Sequence, residues 1–149
     1  MIFIESEMSG QTFSTDLLQT AAQAALDLSN SPDADLTIVL VDDARIQALN
    51  RDFLAYDAPT DVLSFPADEP DPETGRHYLG DVVISLARAA EQARERGHAV
   101  ESEMQLLVVH GVLHLLGHDH AEVGEKERMW AAQAGALERL GVSPNIVHE

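Results

Sequence analysis

The chain has 149 residues, with 26 acidic and 9 basic side chains, a formal net charge of −17 and no cysteine. That length suits one ordinary domain with its own core, and the missing cysteines exclude disulfides and thiolate metal sites. The negative charge repels nucleic acid and anionic membranes at long range, so an RNA substrate would have to be held by local features.

In chain order, Met1 to Glu5 alternates weakly and predicts a first strand. It has no basic segment and carries an acid at Glu5, so it is not expected to be a signal peptide. Ser14 or Thr15 caps a helix to about Ser29, with Leu17, Leu18, Ala21, Ala25 and Leu28 on one face. Leu36 to Val41 predicts a second strand. Asp42 or Asp43 then caps a short helix with Ile46, Leu49 and Phe53 facing inward. Val62 to Phe65 predicts a strand stopped by Pro66, and the acidic, proline-containing run from Ala67 to Arg76 predicts an exposed loop. Tyr78 to Ser85 predicts another strand, in which Gly80 signals a bulge or a close backbone approach.

Ser85 caps a polar helix to Arg96, ended by Gly97. A strongly apolar helix follows from about Val100 to Leu116, ended by Gly117, and a last helix covers about Glu125 to Leu140, with Met129 and Trp130 expected in the core. The apolar stretch from Leu106 to Leu116 is broken by His110 and His114 and is too short to span a bilayer. The expectation is a cytoplasmic protein without a membrane partner. Residues 1–149 are expected to form a single α+β domain, a small mixed sheet with packed helices and a metal site at the C-terminal end of a central helix.

The metal site is read from His110, His114 and His120. His110 and His114 project from one helix face a turn apart, which lets two imidazoles meet one ion. Gly117 can turn the chain back so that His120 approaches the same ion. Buried histidines need partners, since an unpaired buried polar group costs on the order of 1–3 kcal/mol. Three neutral nitrogens suit a single Zn2+, with nickel possible, and a fourth position left open is the catalytic pattern. His77, His98 and His148 stand alone in the sequence and read as surface residues, and His118 reads as exposed.

The spacing His-x3-His-x2-Gly-x2-His also resembles that of the metzincin peptidases, but the position of their general-base Glu is Gly111 here. A metallopeptidase is therefore a lesser alternative. The string from His110 to His120, the segment Asp57-Ala-Pro-Thr-Asp-Val-Leu-Ser-Phe-Pro66 and the strand Leu79-Gly-Asp-Val-Val-Ile-Ser85 together resemble the YbeY family of endoribonucleases over nearly the whole chain. The resemblance implies a metal held by the three histidines and a zinc-dependent single-strand endoribonuclease in rRNA maturation and ribosome quality control. It implies single-stranded rRNA and ribosomal proteins or ribosome-associated factors as partners. A non-enzymatic, metal-binding ribosome-assembly factor is the alternative from another class. The family usually carries an Arg where this chain has Leu54, and Arg51, one helical turn back, is the substitute considered for RNA binding.

No general base stands out. Asp81 can orient a ligand histidine, accept a proton, or simply cap a loop. Ser64 can bind phosphate or hydrogen-bond to backbone. Asp119 can support a ligand histidine from behind or be a turn residue.

Overall fold

A computed structural model describes residues 1–8, 14–70, 73, 75, 77–118 and 122–143. Its elements are β1 (Ile2–Ser6), α1 (Thr15–Leu28), β2 (Asp35–Val41), α2 (Asp43–Leu54), β3 (Val62–Pro70), β4 (His77–Ser85), α3 (Leu86–Arg96), α4 (Val100–Leu115) and α5 (Val123–Arg139). The strands form one mixed sheet in the order β1-β2-β4-β3. β1, β2 and β4 run parallel, and β3 pairs antiparallel with β4. The predicted α+β class and single small domain are therefore what the chain adopts.

Side-chain caps set the helix starts. The Ser14 hydroxyl accepts from the Leu17 amide at 3.2 Å, an Asp42 oxygen from the Arg45 amide at 2.7 Å, and the Ser85 hydroxyl from the Arg88 amide at 3.2 Å. Ser85 also donates to Asp43 at 2.7 Å, and Arg88 reaches the other oxygen of that carboxylate at 3.0 Å, which ties α3 to α2.

The sheet separates two unequal cores. α4 packs on β3 and β4 and also against α1, α3 and α5. Met104, Leu106, Leu107, Val108, Val109, Val112 and Leu113 are fully buried there with Leu36, Ile38, Val82 and Ile84. The opposite sheet face carries only a small cluster, Val41, Ile46, Leu63 and Val83, under α2. Alternation along β4 divides its residues between these faces: Val82 and Ile84 face α4, whereas Val83 belongs to the α2 side.

Several expectations change. β3 does not stop at Pro66 but continues to Pro70, with a register shift between Pro66 and Glu69, so the first part of the expected loop is strand. A proline at an irregularity gives up no ladder bond that regular pairing would need. Gly80 sits opposite Pro66 at φ +135°, and a Cβ there would fall 2.2 Å from the Phe65 carbonyl oxygen. This is the close approach its position in the strand foretold. Phe53 is not inward: it is 67% exposed, because Ile46 and Asn50 form the buried stripe of α2. Its ring instead meets the edge of Phe65 at a centroid distance of 5.6 Å. On α5 the buried stripe is Met129, Gln133, Ala136 and Leu137. Trp130 therefore falls at the margin, partly exposed, with the Lys126 ammonium 4.5 Å from its ring centre. His98 is not alone either, since its Nε2 lies 2.9 Å from an oxygen of the fully buried Glu103. Among the described residues no helix is long and apolar enough to cross a membrane.

Candidate active site

The described part of the site is built by α4 lying close over the sheet. Gly111 makes this possible: a Cβ at that position would sit 2.5 Å from Val82 Cγ1 and 3.3 Å from Val62 Cγ2. A side chain fits there only if Val82 gives way, so the packing as well as the sequence sets this position apart from that of a glutamate base. The Ser64 hydroxyl on β3 donates to the Gly111 carbonyl at 2.9 Å and pins the helix to the strand.

The histidines flank Gly111 on the same helix. His110 is buried, and its Nδ1 lies 3.0 Å from Gln133 Oε1 on α5. An amide oxygen only accepts, so Nδ1 carries the proton and the Nε2 lone pair is directed away from α5. The Nε2 atoms of His110 and His114 are 3.1 Å apart, with the rings at 73°. Two imidazole nitrogens on one tetrahedral zinc would be separated by about 3.3 Å. The spacing and the fixed tautomer both fit a shared metal ion. α4 ends at Leu115 with Leu116 as its C-cap, after which Gly117 at φ +97° takes the left-handed turn expected of it. His120 and Asp119 lie outside the described residues, as does His148. Among the described residues no group of three metal-ligating side chains is present.

The histidines open into a cleft of about 370 Å³ lined by Thr60, Asp61, Val62, Ser64, Pro66, His110 and His114. Its far wall is set by the loop after α2. Ala55 closes that helix in the left-handed conformation, and Asn50 holds the loop through the Ala58 carbonyl at 2.9 Å. The Asp61 carboxylate accepts from the Val62 amide at 2.7 Å and starts β3.

Other sequence candidates fall elsewhere. Ser64 is at the cleft but is engaged with the α4 backbone. Asp81 is on the opposite sheet face, in a groove with Val39, Leu49, Phe65 and Val83, so the sheet separates it from His110 and His114. Its position one residue from Val82 puts it there. The Tyr78 hydroxyl donates to Asp81 at 2.5 Å and lies 2.7 Å from Thr37 Oγ1. Burial, then the Asp81 bond, pushes the Tyr78 phenol up to about 12. Arg51 is exposed and bonded to Asp52 at 3.0 Å, and does not line the histidine cleft. The Asp52 hydrogen bond and charge hold its guanidinium above its ordinary range. Leu54 is exposed beside Phe53. Sequence reading missed Gln133, whose only signal was a polar residue on the buried stripe of α5.

Comparison with known proteins shows what the chain as a whole is similar to. The family model described as endoribonuclease YbeY matches residues 3–141. The chain is 45% identical over 135 residues to the endoribonuclease YbeY of Desulfitobacterium hafniense, covering 86% of each chain. It is 44% identical over 144 residues to that of Syntrophotalea carbinolica, covering 94% of this chain and 95% of the relative. A solution structure of a Thermotoga maritima protein superimposes with a TM-score of 0.60 at 28% identity, covering 95% of this chain and 92% of that one. With its sequence matched almost from end to end and two histidines converging over the sheet, the chain belongs to the endoribonuclease YbeY family.

Proposed function

We propose that this protein is a cytoplasmic, zinc-dependent endoribonuclease that cuts single-stranded rRNA during ribosome maturation and quality control. The observation that carries the reading is the pair of Nε2 atoms 3.1 Å apart at the floor of a cleft, in a chain belonging to a family named for RNA cleavage. His110 and His114 would hold the ion together with His120. A bound divalent ion supplies positive charge and Lewis acidity toward a phosphodiester.

The chain's own residues do the rest. Gln133 keeps the His110 proton on Nδ1, so Nε2 stays an electron-pair donor. Gly111 and Ser64 fix the height of α4 above the strand and so hold the two imidazoles in place. The −17 charge makes sequence-independent attraction to RNA weak, so recognition rests on short-range contacts in the cleft and on basic protein partners such as ribosomal proteins.

The test is cleavage of a single-stranded rRNA fragment by the purified protein, before and after chelation and after zinc is restored. Activity should vanish on chelation and return with zinc. His114→Ala should lower the rate at least about 100-fold with circular dichroism unchanged. A chelated protein that cuts at full rate would refute the metal-dependent reading. A folded protein that binds rRNA but never cuts it would identify an assembly factor instead.

A further inference from the structure

A second cavity of about 590 Å³ adjoins the histidine cleft, and His114 and Pro66 line both. The two are neighbouring lobes with these two residues in common. The second lobe is walled largely by aliphatic groups, Leu79, Leu115 and Leu116 among them, with Ser31, Asp33 and His77 supplying its polar groups. Its volume falls within the range of small-ligand sites.

We propose that this lobe holds the base of a nucleotide next to the cleaved bond. The inference rests on the endoribonuclease reading and adds where the substrate lies. A strand whose phosphate sits at His110 and His114 has its neighbouring nucleotides close to His114, which lines both cavities. The lobe beside His114 is the cavity that the next base meets. Its mixed lining favours one part of the nucleotide over the other. The Asp33 carboxylate repels a phosphate, whereas a base is neutral and presents an apolar face to the leucines. An unstacked base in a single strand has both faces available for such a contact, and one held in a duplex does not.

The experiment uses the full chain and short single-stranded RNAs around one mapped cleavage site, with an abasic nucleotide placed at each flanking position in turn. At one position the abasic RNA should lower kcat/KM by about tenfold or more. Ser31→Trp, which fills the lobe, should lose a similar factor on intact RNA and no more than about twofold further on the abasic RNA. His77→Trp, on an exposed residue of another wall, provides the same block should the first variant fold poorly. Equal cleavage of all abasic RNAs, or normal cleavage of intact RNA by both folded variants, would overturn the subsite and leave the nuclease reading standing. If the wild-type protein cuts no RNA, the nuclease reading fails first. Binding of an RNA carrying 2-aminopurine, read by its fluorescence, then decides the lobe. A change in emission that both tryptophan variants abolish supports a base in the lobe, and no change, or one the variants retain, overturns it.

Discussion

The two faces of the sheet are built to different standards. Under α4 lies a thick core in which nearly every residue of the helix is buried, while under α2 lies a thin one with Phe53, Leu54 and Tyr56 exposed at its end. The histidines sit on the thick side, and Asp81 sits on the thin side. A site that must hold two imidazoles in fixed positions gains from dense support, since packed side chains keep their rotamers.

Four substitutions break or sharpen that contrast. Leu113→Ala removes a fully buried side chain of α4 and should destabilise the fold by about 2–5 kcal/mol in urea denaturation. Gly111→Ala forces a methyl against Val82 and should cost about 1–3 kcal/mol, with part of the loss recovered when Val82→Ala is added. If Gly111→Ala is neutral, α4 is not held at its observed height. Gln133→Leu should reduce zinc affinity about 10–100-fold in a competition titration with a chelator while leaving the fold intact. Phe53→Ala, on the thin side, should change stability by less than about 1 kcal/mol despite removing a large ring. A loss matching that of Leu113→Ala would mean that the two faces are equivalent after all.

Much of the architecture was legible from local pattern. Helix caps at Ser14, Asp42 and Ser85 fell where short polar side chains precede apolar periodicity. The glycine in β4 announced a close crossing. What local pattern could not carry was the third dimension. Period-2 alternation separates Asp81 from Val82, but only packing says which face meets α4. Pro66 reads as a stop in isolation, yet β3 passes through it because the pairing slips there. In the site, the convergence of His110 and His114 follows from helical spacing, whereas Gln133 is 23 residues from the ring it holds. No short window contains both.

The bond from Ser64 to the Gly111 carbonyl has a consequence for ligand capture. It ties the helix to the strand through groups of the chain itself, as the Gln133 bond does for His110. The rotational freedom of His110 and the height of the helix beneath it are therefore given up on folding rather than on binding. For the proposed metal ion, imidazoles held by the fold itself would leave little of its binding free energy to be lost in arranging them.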